Sequence, residues 1–429
     1  MSKNIKNYDV WVVDPHGRVP GESMGHLIGL EAAKFYASKG KRVLLVTSTF
    51  SHILKTQRYR QTEYLSNVDG IDIVMLKTNS YTRHVGLMRI VWHLYFCFSF
   101  LMNFKAWGRP EHISVSFPFP FFDLIVPMLK KTTGAKIVLH FSDLWPEVFE
   151  LALPKPLRSL GKYIFYPFFL MRDKALLACD GITFVSQSYN NLISNIDKKI
   201  KDKKRTVIYR SLVSMEDFEN TGPSDPDVFK HNPDQLIINY SGTLGSGYDI
   251  AGLVSVIERI KASEYSGKVK LYVSGKGPHE DFVRRKALDV GSDHMEYKGV
   301  LPYSQLLQLY KLTDLACLPY MPDSPIAFPA KAFDYIVAGT PIIHSIDGEL
   351  RSLSQDKECG IYYKAGDHES LYLAIIGLLN NQSELLQKMT NNMAKISHEF
   401  TVENTLNQMY DFYQLVASES QSESCISSE

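Results

Sequence analysis

Short apolar runs alternate with helical periodicity along almost the whole chain. "YDVWVV" (8–13) reads as a buried strand, and a Gly/Pro-rich loop, "DPHGRVPGESMG", follows it. A 3.6-residue apolar pattern then runs to Gly40, and the strand "RVLLVT" (42–47) completes a βαβ unit. Further strand-like runs at 71–76, 112–117, 135–140, 181–186 and 205–210, with helices between them, predict a parallel, doubly wound sheet. The pattern breaks at "EDFENTGPSDPDVFKHNPDQ" (216–235), which is rich in Pro, Asp, Asn and Gly and reads as part of a linker. A second alternating series follows at 236–241, 268–275, 294–300, 314–320 and 340–345. Helices are expected over 368–397 and 402–416, and the Ser/Glu-rich tail from 417 to 429 is expected to be disordered. The implied α/β architecture is two Rossmann-like doubly wound domains, 1–212 and 236–397, joined by 213–235 and facing a central cleft. Sheets of this kind bind ligands beyond the C-terminal ends of their strands, so chemistry is sought in the loops that follow strands.

One short helix breaks a local rule. In "FPAKAFDYIVAGTPII" (328–343), Pro329 suits a first helical position, Gly339 the residue past the end, and Pro341 forbids continuation. Lys331 then faces the positive end of the helix dipole, which an anion docked there would compensate. Asp334 lies three residues on, on a neighbouring part of the same face. A plain surface ion pair contributing under about 1 kcal/mol is the bland alternative. Three other loops follow strands: "SGTLGSG" (241–247), "SGKGPHE" (274–280) and "KGVLPYSQL" (298–306). Glycines in the first would let backbone amides approach a phosphate, and backbone groups of Val300 and Leu301 could line a base pocket. The second, taken alone, reads first as an ordinary strand-to-helix turn.

Composition fits a soluble enzyme, with 45% hydrophobic and 22% charged residues. A formal charge of +1 offers no nucleic-acid footprint. The five scattered cysteines have neither metal nor redox spacing, and the N-terminus has no signal-peptide layout, so a cytoplasmic protein is expected. The apolar segment 86–108 changes that picture. Its uncharged run, Ile90 to Phe104, is shorter than a bilayer span. Its flanking Arg83, Arg89 and Lys105, with Trp92 and Trp107 near its ends, suit a helix lying among headgroups. A buried core helix is the alternative. Segment 155–174 repeats the mixture of basic and aromatic residues, so peripheral contact with the inner face of the cell membrane is expected.

Taken in order, "SGTLGSG", "VSGKGP", "YKGVLPYSQLLQLYKLTDLACLPY" and "PAKAFDYIVAGTPII" resemble the successive signatures of the family 4 glycosyltransferases, retaining enzymes of the GT-B fold. "SFPFPFFDLIVPMLKKTTGAKIVLHFSDLWPE" (116–147) is similar to bacterial members that build lipid-linked surface glycans such as O-antigen or capsule. The resemblance implies a nucleotide-diphosphate sugar, a UDP-sugar by preference, as co-substrate in the C-terminal domain. It implies a lipid-linked glycan or saccharide acceptor in the N-terminal one, and a closing helix, 398–416, that crosses back. Lys331 would contact the diphosphate beside Gly242, Thr243, Leu244 and Gly245, with Phe328, Pro329 and Ala330 leading into its helix. Gly275, Lys276 and Gly277 would sit near the nucleoside, and Asp334 would hold the ribose. This chain departs from the pattern at Ile326, where many members have a glutamate. It departs again at Tyr248 and Asp249, where a basic residue is common, and at "YRSLV", which replaces Asn-Gly. Arg210 is the candidate to restore some of the missing charge.

Front-face retaining transfer then needs no resident cofactor or metal. Asp225-Pro-Asp227 is read as a solvated turn. In the first half, Asp143 of "HFSDLWPE" either orients and deprotonates the acceptor or caps a helix, with His140 beside it. Gly21 and Glu22, after the first strand, could border the cleft, as could His16 and His26. A GT-B epimerase and a catalytically silent partner of another transferase are the rival readings. A nicotinamide dehydrogenase is disfavoured because no G-x-G-x-x-G follows a strand.

Overall fold

The computed structural model describes residues 7–22, 28–82, 86–209, 211, 213–322, 324, 326, 328–380 and 382–426. His26, Arg83 and Arg210 lie outside them. The chain divides into two compact units, one made of residues up to Ile208 with those from Leu406, the other of Tyr209–Thr405.

Among the described residues of the first unit, eight strands form one sheet: β1 (Val10–Val13), β2 (Val43–Ser48), β3 (Glu63–Val68), β4 (Ile71–Leu76), β5 (His112–Phe117), β6 (Lys136–Phe141), β7 (Gly181–Phe184) and β8 (Lys204–Val207). Their spatial order is β8-β7-β6-β5-β1-β2-β4-β3, and only β3 is antiparallel to its neighbour. Both faces of β1 and β2 are buried, which is why they read as unbroken apolar runs. The order reverses between β1 and β5.

The second unit carries β9 (Leu236–Ser241), β10 (Val269–Ser274), β11 (Met295–Tyr297), β12 (Leu315–Leu318), β13 (Ile342–His344) and β14 (Gly360–Tyr362). They run parallel in the order β11-β10-β9-β12-β13-β14, so the reversal falls between β9 and β12. The loops after those two strands are "SGTLGSG" and the approach to the helix Ala330–Val337.

Three expectations change. The stretch read as a linker holds a helix, Met215–Asn220, capped by Ser214, and its Phe229 is wholly buried against Tyr272 and Leu309 of the second unit. One anchoring aromatic among polar residues leaves no period to detect. From Val402 the last helix continues to Ile426, through residues expected to be disordered; no glycine or proline interrupts it. Its Phe412 and Val416 pack on Val138 of the first unit. Finally, Trp92 and Trp107 are buried in the core, so neither is a headgroup anchor. The helix Leu87–Asn103 packs one face inward through Trp92, Phe96 and Phe100.

Candidate active site at the switch point of the second unit

The three glycine-bearing loops extend the sheet beyond its strand ends by main-chain bonds. Gly242 N donates to Ser274 O (2.9 Å), Leu244 N to Lys276 O (3.0 Å), and Gly275 N to Gly299 O (2.6 Å). Such close approach requires the absence of side chains. A Cβ on Gly275, whose φ is +124°, would lie 1.8 Å from the Gly242 carbonyl oxygen, and one on Gly277 2.4 Å from that of Leu244. Side chains lock the base of the loops. Tyr335 Oη accepts from Ser241 N (3.0 Å), Ser274 Oγ donates to Ser241 Oγ (2.7 Å), and Tyr297 Oη donates to Gly275 O (2.7 Å).

Lys331 reaches into this layer. Its helix, Ala330–Val337, begins one residue later than expected, with Pro329 at the N-cap, and ends at Gly339 with φ +71°. Lys331 Nζ donates to Tyr240 Oη (2.9 Å) and lies 4.4 Å and 3.9 Å from the ring centres of Tyr240 and Tyr248. Its tip passes over Gly242, where a Cβ would sit 2.1 Å from Lys331 Cε. Glycine at 242 therefore makes room for the lysine as much as for any ligand. Burial pushes the Lys331 ammonium down to about 7, with Asp334 opposing the shift. Asp334 is pushed up to about 7 by burial, against the hydrogen bond it accepts from Tyr310 Oη (3.4 Å) and the pull of Lys331. The pair is not a solvated surface salt bridge. It is a half-buried cation on an aromatic floor, with a carboxyl one turn behind it.

The loop offers further donors. Among the described residues, the main-chain amides of Thr243 and Gly245 have no protein acceptor, and Thr243 is exposed. A diphosphate beside Lys331 would meet these amides as well as the start of the helix. Lys276 and Ala330 are exposed, and Val300 is largely so, leaving them accessible.

Several expected contacts are otherwise engaged. Leu244 is a core side chain whose amide and carbonyl are both spent, the latter on His279 N (3.0 Å). Phe328 stacks on Phe333 (4.9 Å) and beside Tyr209 (5.0 Å), so its ring is packing. Pro329 is buried, Leu301 packs beside Phe229, and Ile326 packs in the same cluster as Phe333. Asp249 caps the helix Ile250–Lys261 and pairs with His368 (2.7 Å). Asp225 accepts from Asp227 N (2.9 Å) in an exposed turn.

Tyr240 and Tyr248 were not among the candidate site residues. Their signal was Tyr248 itself, one of the positions at which the chain departs from the resemblance described above. Here it supplies a ring face to Lys331, a contact worth about 0.5–2 kcal/mol.

The first unit's candidates fare differently. His140 is buried on β6, with Nε2 2.7 Å from Ser114 Oγ and Nδ1 2.8 Å from Thr183 Oγ1, both interior to the sheet. Glu22 binds Arg58 through both carboxylate oxygens (2.7 and 2.6 Å), and the two side chains are only 13% and 7% exposed. Both residues are structural, because their polar atoms are consumed by internal partners. Gly21 has φ +88° and open space beside it. His16 stacks on Trp92 (4.7 Å). Asp143 is exposed after β6 and does not cap the next helix, Glu147–Ala152, whose N-cap is Pro146.

Residues 223–396 match the family described as glycosyl transferases group 1. Among solved structures, the sucrose-phosphate synthase of Thermosynechococcus elongatus superposes with a TM-score of 0.72 at 15% identity, over 96% of this chain and 99% of that one. A glycosyltransferase from Rickettsia africae gives 0.63 at 14% identity, over 96% and 98%. HepE of Anabaena in complex with UDP-glucose gives 0.62 at 13%, over 95% and 100%. At these identities the likeness is one of fold. No curated protein matches the chain.

Proposed function

From a chain that carries a group 1 glycosyl transferase domain over residues 223–396 within a GT-B fold, we propose a retaining transfer of a sugar from a UDP-sugar to a lipid-linked or saccharide acceptor in surface-glycan assembly. The observation that carries the donor half is Lys331 Nζ poised over Gly242, beside the amides of Thr243 and Gly245. Negative charge grows on the diphosphate as the glycosyl bond breaks. A prearranged cation and backbone donors favour that charged state over the ground state. Asp334 accepts the ribose hydroxyls. The acceptor hydroxyl attacks on the face from which the diphosphate leaves, so the anomeric configuration is kept. Asp143, on an exposed loop end, orients or deprotonates that hydroxyl. The acceptor class rests on the resemblance of residues 116–147, and no resident metal is assigned a role.

The test is an assay of labelled UDP-sugars with a short lipid-linked acceptor, with the linkage read by NMR, in EDTA. Acceptor-dependent release of UDP and an α-linkage from an α-donor support the reading. UDP release independent of acceptor, an inverted linkage, or wild-type turnover in Lys331→Ala would refute it. The expected loss in that variant is about 10²–10³-fold in kcat.

A further inference from the structure

The helix Leu87–Asn103 is apolar on both faces, yet the protein covers only one. Trp92, Phe96 and Phe100 are wholly buried, and Ser99 Oγ donates to Lys77 O (2.8 Å), fastening the inner face to the end of β4. Leu87, Ile90, Leu94, Phe98, Leu101 and Met102 stand on the other face, spaced three to four residues apart along most of its length, with Leu87 73% and Met102 69% exposed. A surface helix normally turns polar residues outward; this one exposes apolar ones.

The charge of its own stretch of chain is one-sided. From Lys77 to Pro110 the chain has no Asp or Glu but carries Lys77, Arg83, Arg89, Lys105 and Arg109. Lys77, Lys105 and Arg109 are exposed. A second apolar surface lies nearby in the packing. Phe122 touches Phe100 (ring centres 4.9 Å), and its neighbour Phe121 touches Phe168 (6.2 Å) of the helix Tyr166–Ala178. Just before that helix and at its first residue, Tyr163 and Tyr166 are 80% and 57% exposed, and residues 153–172 again contain no acid.

We propose that the outer face of Leu87–Asn103 docks on an anionic lipid bilayer, the helix lying in the headgroup plane and not crossing it. Leu87–Trp107 has the length and apolarity to span. Spanning would strip Trp92, Phe96 and Phe100 from the core that buries them. Lying flat leaves that packing intact and covers the exposed side chains, while the basic residues meet lipid phosphates. A protein partner would have to match an apolar strip whose own stretch of chain carries only positive charge.

The experiment is sedimentation of the full chain with vesicles of phosphatidylcholine alone or with phosphatidylglycerol, alongside light scattering for self-association. Binding is expected to the anionic vesicles and to weaken as salt rises. The double variant Leu94→Glu/Phe98→Glu should lower the partition coefficient about tenfold or more while keeping the melting temperature and UDP binding. Because both exchanges add acid to an exposed face, Leu94→Ser/Phe98→Ser is the second variant, expected to weaken binding without adding repulsion. Absence of binding to either vesicle, binding as tight as the unaltered chain's by both variants, or a dimer that these substitutions dissolve would overturn the proposal.

Discussion

The two sheets reverse their strand order at comparable points, after β1 in one unit and after β9 in the other, and fill the resulting crevices in opposite ways. After β9 the chain spends glycines, so backbone meets backbone and one lysine tip occupies the opening. After β1 the described residues put side chains there instead. Asp14, 3% exposed, sits where a Cβ on Gly29 would be 2.4 Å from its Oδ2, and Glu22 closes on Arg58. The first arrangement leaves exposed amides and a cation with an unusually low affinity for its proton. In the second, among the described residues, Glu22 spends both carboxylate oxygens on Arg58. The lesson concerns which chemistry each switch point can supply: fixed donors for an anion in the second unit, a braced wall in the first.

The largest way to break this contrast is Gly242→Val. Its side chain would land on Lys331 and strain a φ of +142°, and transfer is expected to fall below detection while circular dichroism stays native. Unchanged kcat in that variant would show that the lysine need not lie where it is. The matching change in the first unit is Glu22→Ala, which strands a buried guanidinium. It should cost about 3–5 kcal/mol in urea denaturation and leave the donor KM unaltered. A raised KM with unchanged stability would move Glu22 into the site.

Asp334→Asn is smaller. It removes the acceptor proposed for the ribose while keeping size, and should raise the UDP-sugar KM by about 10–100-fold, corresponding to about 1.5–3 kcal/mol.

The mildest effect is on protons. Lys331, shifted down to about 7, is increasingly neutral above that pH, and Asp334, shifted up to about 7, is increasingly ionised. An arriving diphosphate favours the protonated form of either group. UDP binding should therefore take up protons above pH 7 and weaken by about tenfold per pH unit for each proton taken up. Calorimetry in buffers of different ionisation enthalpy reads this directly, and proton release would reverse the sign. In the free protein Lys331 contributes stability that rises from pH 7 toward 10.5, and Asp334 stability that falls from pH 3.8 toward 7, so together they leave a minimum near neutrality.

Much of this was legible because buried parallel strands write themselves as apolar runs. The runs at 71–76, 112–117 and 236–241 coincide with β4, β5 and β9. The edge strand β3, "EYLSNV", was missed because no residue in it is fully buried, and β14 is three half-buried residues long. In the candidate site, the positions of Lys331, Gly242 and Gly275 were readable, since glycine spacing reports backbone geometry. The roles of His140 and Glu22 were not. A histidine or glutamate after a strand looks the same in sequence whether it faces a ligand or Ser114 and Arg58, and only the partners distinguish them. The Tyr240–Tyr248 floor joins residues eight apart through tertiary packing that no local pattern records.

The most direct measurement is a crystal structure with UDP-glucose. The account predicts the diphosphate within hydrogen-bonding distance of Lys331 Nζ and the Thr243 or Gly245 amide, with Lys331 lifted from the Tyr240 hydroxyl. A bound diphosphate elsewhere, with Lys331 still on Tyr240, would contradict it.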